Sequence, residues 1–286
     1  MRILREVMLT QSQFVKVHAA EYLIWAGHPD SVRDVFLKEE QLYGTESPYR
    51  IGIWRVLEQV AGDKNEKSQW IDSIQNAFLN VNGKDRINAA ETLAKLKIIP
   101  APGHPAVVQK AIEGEATSLS LYTLWAASNS GADSLKKCRE KLFHLLTSDQ
   151  ADSLQKTLAS YILRHIDDLD SNEWSLLASK ALAEPDSSLA KVYMLSAAYI
   201  TVPEDSIRTG LYEKIKAQLI NEDKSPRVGS RTELSAVLAE KGTPADLPVL
   251  FTMLNNKYPL EKESDNADVR SAAAYAILEI GKRMKQ

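Results

Sequence analysis

One helical pattern recurs in phase from end to end of this chain, and it constrains the fold more than any other feature. Near the N-terminus it reads Val15-Lys16-Val17-His18-Ala19-Ala20-Glu21-Tyr22-Leu23, followed by Gly27. Near the C-terminus it reads Val269-Arg270-Ser271-Ala272-Ala273-Ala274-Tyr275-Ala276-Ile277, followed by Gly281. Position by position the two agree: β-branched, basic, two free, small, small, free, free, large aliphatic. The ninth position recurs at Leu23, Leu57, Leu93, Trp125, Ile162, about Ala197, Leu238 and Ile277, in steps of 34, 36, 32, 37, 35, 41 and 39 residues. Self-similarity at that spacing predicts stacked supersecondary units, each burying its apolar face on the next. We therefore expect one continuous domain over 1–286, with the strongest repeats at 1–96 and 227–286 and weaker ones over 97–226.

Between the phased helices lie second helices. Ser31 to Leu42 is apolar at Val32, Val35, Phe36 and Leu42, with Asp30 or Ser31 placed to cap it. Trp70 to Leu79 carries Trp70, Ile71, Ile74, Ala77 and Phe78 at helical spacing. Pro105 to Ile112 and the segment after Thr243 both open on proline, whose missing N–H costs nothing in a first turn. Turn signals at Thr45–Pro48, Asn82–Asp85, Pro100–Gly103 and Ser225-Pro226 separate the units, and Gly27, Gly62, Gly242 and Gly281 are expected to close the phased helices. No segment alternates as a strand would. The expectation is an all-α chain of about eight antiparallel helix pairs.

Composition narrows the partners. A net charge of −3 argues against bulk attraction to nucleic acid or anionic lipid. No segment reaches the roughly 18 uninterrupted apolar residues of a membrane span. The single cysteine, Cys138, excludes an internal disulfide and fits a reducing compartment, so cytoplasmic placement is favoured. The chain starts inside an amphipathic helix with Leu4, Val7 and Met8 on one face, and a longer precursor carrying an export segment is the other reading.

Asp268-Val269-Arg270, Ala273-Ala274, Ala276-Ile277 and Ile280-Gly281 together resemble the inner helix of a HEAT repeat, and the bilin-lyase type of HEAT-like repeat is similar to it. Gly242-Thr243-Pro244-Ala245-Asp246-Leu247 and Gly27-His28-Pro29-Asp30-Ser31-Val32 resemble the outer helix that follows. The resemblance spans essentially the whole chain. It implies a right-handed α-solenoid of the HEAT or armadillo type. For function it implies little, because this repeat serves scaffolds, adaptors, lyases and a DNA glycosylase family alike.

On such a helix positions five, six and nine face the core, so Ala19, Ala20, Ala89, Ala90, Ala273 and Ala274 read as packing residues. Trp54 and Trp125 read as core plugs. The basic second position (Lys16, Arg50, Arg86, Arg231, Arg270) suggests either an anion-binding stripe or a structural ladder of ion pairs; Asp85 beside Arg86 and Asp268 before Arg270 favour the ladder. Positions four, seven, eight and eleven are expected to be exposed. In the first three repeats they are richest: His18, Glu21, Tyr22 and Trp25, then Arg55 and Gln59, then Asn88, Glu91, Thr92 and Lys95. Glu21, Arg55 and Glu91 form a column of alternating charge, worth about 0.2–1 kcal/mol per pair if exposed. Tyr22 and Trp25 add aromatic area of the kind that anchors partners. The alternative is a solvated polar face with no partner, and the later repeats read as blander.

Catalytic signals are thin. His18, His28, His104, His144 and His165 show no His-Glu-x-x-His spacing. His18 and Glu21 lie three apart on one helical face, as metal ligands can, but a competent site needs at least one more ligand. No glycine-rich phosphate loop or nucleophile elbow occurs. Lys137 and Arg139 would lower the pKa of Cys138 if it were exposed, yet no base partner is evident. The expectation is a non-enzymatic scaffold or adaptor without a cofactor, binding a protein partner through the concave face of the N-terminal repeats. His18, Glu21, Tyr22, Trp25, Arg55, Gln59, Asn88, Glu91 and Lys95 are the candidate contacts. The alternatives are a HEAT-like enzyme of the bilin-lyase or DNA-glycosylase kind, or a module of a larger assembly. Homodimerisation through the solenoid ends is a further expectation, since the alanine-rich last helix has only a short tail from Gly281 to Gln286 to cover it.

Overall fold

The computed structural model describes residues 1–166, 169–207 and 209–285; Gln286 of the expected tail lies outside them. The chain is all-α, 74% helical, with no strand among the described residues. The helices are α1 (Arg2–Thr10), α2 (Gln13–Trp25), α3 (Val32–Tyr43), α4 (Tyr49–Gln59), α5 (Lys64–Leu79), α6 (Arg86–Lys95), α7 (Pro105–Ile112) and α8 (Ser118–Ser128). They continue with α9 (Ala132–Thr147), α10 (Ser153–Ile166), α11 (Ser171–Ala183), α12 (Ala190–Ile200), α13 (Gly210–Ile220), α14 (Val228–Lys241), α15 (Leu247–Leu254) and α16 (Glu263–Arg283). Every copy of the phased pattern falls on an even-numbered helix, α2 through α16.

Two compact units are present, one of residues 8–138 and one of residues 139–286 together with 1–7. Within 8–138, α2 packs on α4, α4 on α6 and α6 on α8, while α3 and α5 bridge consecutive members of that row. Within 139–286 the same rule holds: α10 packs on α12, α12 on α14 and α14 on α16, with α11 and α13 against α12 and α15 against α16. The small residues at positions five and six allow this approach. Ala19, Ala20, Ala89, Ala90 and Ala273 have no exposed surface, and Ala274 is buried with them. Around them Leu23, Phe36, Leu57 and Phe78 fill one core; Ile162, Trp174, Leu195 and Leu238 fill the other. Trp174 also donates its indole N–H to the Ala198 carbonyl at 2.7 Å, so a large ring is buried without an orphaned donor.

Local signals correct several boundaries. Helix α5 begins well before Trp70, because the Asp63 side chain accepts from the amides of Asn65 and Glu66 and starts a polar first turn. Ser31 does not cap α3: it sits at φ 68° and its hydroxyl makes no capping bond. Gly27 does close α2 in the left-handed region, at φ 78°. Gly281 does not close α16, which runs on to Arg283. That arginine donates to the carbonyls of Leu238, Ala239 and Gly242, satisfying the open C-terminal end of α14. The alanine run from Ala272 to Ala274, with Ala276, is buried inside its own unit.

Candidate functional site

All nine candidate residues lie on α2, α4 and α6, and the 8–138 unit brings most of them into one polar network. The expected exposure of position seven is wrong. Glu21 and Arg55 are each only 4% exposed, because α4 packs between α2 and α6 and the two side chains meet across the α2–α4 contact. Arg55 holds Glu21 with both arms of its guanidinium, Nε to Oε1 at 2.7 Å and Nη2 to Oε2 at 2.9 Å. Its remaining nitrogen Nη1 reaches Thr92 Oγ1 at 3.4 Å, so α2, α4 and α6 are tied through one side chain. Position eight is likewise closed at Val56 and Thr92.

Outward from this pair the network opens to solvent. Gln59 donates to Glu21 Oε1 at 3.2 Å and accepts from the indole N–H of Trp25 at 3.0 Å. Tyr22 meets the same indole edge-on, with ring centroids 5.8 Å apart. Trp25 is thus held from two sides while 49% of its surface remains exposed. Glu91 pairs with Lys95 one turn along α6, at 2.8 Å. Asn88 is half-buried and makes no hydrogen bond among the described residues.

The electrostatics are dominated by burial. Desolvation pushes the Glu21 carboxyl up, but Arg55, Lys95 and the Arg55 hydrogen bonds outweigh it, with a contribution from His18, and hold it below the usual carboxylate range. Glu91 follows the same logic: burial raises it, while Lys95, Arg55 and His18 bring it down overall. Both carboxylates are therefore charged at neutral pH, each beside a cation. No group of three or more metal-ligating side chains occurs among the described residues. The arrangement can present a rigid aromatic edge above a neutralised polar floor.

The basic second position divides between two roles. Lys16 pairs with Glu39 at 2.6 Å, and Glu39 also accepts from the Tyr49 hydroxyl at 2.6 Å. Arg50, rather than Arg86, takes Asp85, through Nε at 2.7 Å, and it also lies over the Trp54 ring. Trp54 is accordingly half-buried rather than a full core plug, whereas Trp125 is buried. Arg86 instead donates to the Phe78 carbonyl at the end of α5, and Arg231 to the carbonyls of Ser225 and Tyr258. These are links between neighbouring helices and turns.

A second buried ion pair escaped the sequence reading. In 139–286, Arg164 of α10 reaches Glu233 of α14 at 3.1 Å, across α12, where the Ser196 hydroxyl also faces the carboxylate. Desolvation raises Glu233 despite Arg164 and Ser196. Burial also pushes the nearby Tyr193 hydroxyl up to about 12. The sequence gives little signal for it, since Glu233 is one of four charged residues of α14, with Arg231, Glu240 and Lys241. Cys138 is fully buried, and desolvation pushes its thiol up to about 12 against a bond to Ser128, so the flanking cations do not activate it. Comparison with protein-family models, curated proteins and solved structures finds no match to this chain.

Proposed function

We propose that this chain is a non-enzymatic adaptor, built as a HEAT-like α-solenoid, that binds a protein partner through the α2–α4–α6 face. The observation that carries the reading is Trp25. A half-exposed indole pinned by Tyr22 and Gln59 loses little conformational freedom on binding, which is what a hot-spot residue requires. The buried Glu21–Arg55 pair beneath it sets the register of three helices and so presets the face. Row packing of the phased helices within each unit supports the solenoid. His18, Lys95 and Asn88 would then supply the polar rim around the indole.

The test is capture of partners from host extract by the wild-type chain and by Trp25→Ala, His18→Ala and Lys95→Ala variants. Trp25→Ala is expected to weaken capture by more than about tenfold, equivalent to a ≥ 1.4 kcal/mol anchor, with helicity and Tm unchanged. Equal capture by wild type and Trp25→Ala would move the site off this face. Glu21 and Arg55 are unsuitable probes, because their loss perturbs the fold.

A further inference from the structure

At the C-terminal end of α14 lies an apolar cavity of about 610 Å³, within the size range of small-molecule sites. Its walls converge from separate stretches of the chain: Val202 after α12, Ile207 before α13, Pro244 after α14, and Ile280 and Met284 at the end of α16. Val202 and Ile280 are buried, whereas Ile207 is 42% and Met284 60% exposed. Single exposed apolar side chains are ordinary. Two that line one concavity leave a wetted apolar surface that an apolar ligand would cover.

Two cations share the lining, Lys241 and Arg283. Lys241 donates through Nζ to the Ile200 carbonyl at the end of α12. Arg283 donates through Nη1 to the Ala239 carbonyl and through Nη2 to those of Leu238 and Gly242. Backbone oxygens thus fix where both cations stand, and neither has a carboxylate within ion-pair distance among the described residues. These bonds use one of the three Lys241 donors and leave the Arg283 Nε–H uncommitted. Glu240 is the single acid of the lining, so its side chains carry a net positive charge.

We propose that this cavity binds an aliphatic monocarboxylate. The chain lies against Val202, Ile207, Pro244, Ile280 and Met284, and the carboxylate accepts from the remaining donors of Lys241 and Arg283. Tyr212, the one aromatic ring of the lining, is already stacked on Tyr199, with centroids 5.5 Å apart and planes 8° apart. The walls therefore suit a flexible chain rather than a second flat ring. A lysine beside an arginine selects a carboxylate over an alcohol through charge-assisted hydrogen bonds, and over an amine through like-charge repulsion. The site lies wholly in the 139–286 unit and does not depend on the α2–α4–α6 face.

Isothermal titration of the full chain with octanoate tests it, with octanol and octylammonium as probes of equal chain length. Saturable one-site binding of octanoate is expected, with octanol weaker by about tenfold or more and octylammonium not binding. Lys241→Gln removes one charge and should weaken octanoate by about tenfold while leaving octanol unchanged, a split that a merely structural role would not produce. Ile207→Trp fills the cavity from a position that is already partly exposed, so circular dichroism should be unchanged while octanoate binding falls by about tenfold or more. Arg283 is left in place because it also holds the end of α14. Non-saturating octanoate heats would overturn the proposal, as would octanol or octylammonium binding as tightly as octanoate. Octanoate affinity unchanged in both Lys241→Gln and Ile207→Trp would do the same.

Discussion

Removing the Glu21 carboxylate would leave the Arg55 guanidinium buried beside Thr92 with its main partner gone, and that asymmetry governs what substitution there does. Glu21→Ala is expected to lower the unfolding free energy by about 3–5 kcal/mol in urea denaturation. Replacing both partners, as in Glu21→Ala with Arg55→Met, should recover part of the loss, because no charge is then stranded. Equal and additive losses would mean that the pair is not coupled. Glu91 and Lys95 are more exposed and lie one turn apart on α6, so Lys95→Ala should cost no more than about 0.5 kcal/mol. Cys138 offers a separate check. Buried, with its thiol pushed up to about 12, it should resist thiol reagents at pH 8 in the folded protein and react at once in denaturant. Rapid reaction of the native chain would contradict its placement.

At the scale of elements, the caps decide which helix starts are robust. Asp63 accepts from two amides at 2.8 and 2.9 Å, so Asp63→Ala should destabilise by about 0.5–2 kcal/mol, seen as a lower Tm. Ser31 makes no such bond and holds a left-handed backbone. For Ser31→Gly, relief of the side-chain clash, about 1–2 kcal/mol, outweighs the added chain entropy of about 0.5–1 kcal/mol, so no loss of Tm is expected. The contrast explains why the start of α3 was misread: Ser31 is of a capping type and does not cap, whereas Asp63 does. Both segments carry a capping residue type, but whether it caps depends on the backbone path into the helix, here the turn from Pro29 that reaches Val32. The polar beginning of α5 was missed for a related reason: without apolar residues, periodicity has nothing to register.

Across the whole molecule, the two units should respond to acid with opposite sign. Glu21 and Glu91 in 8–138 are held below their unfolded range, so the stability they contribute is present above that range and lost as pH falls through it. Glu233 and Asp223 in 139–286 are raised by burial; they favour the folded state below their unfolded range, and that contribution is lost as pH rises through their folded values. On stepping from pH 7 towards pH 4, amide resonances of 8–138 should therefore broaden before those of 139–286, and the reverse order would refute this assignment of signs. The sequence by itself determined the helical class and the register of the phased helices, down to the buried alanines at positions five and six. Those features follow from local periodicity, which every residue carries with it. Only the tertiary structure decided that Glu21 and Arg55 are buried partners, that Arg50 rather than Arg86 takes Asp85, and that Arg164 meets Glu233. A helical wheel distinguishes inside from outside for one helix, whereas burial and pairing depend on the neighbours that cover its flanks.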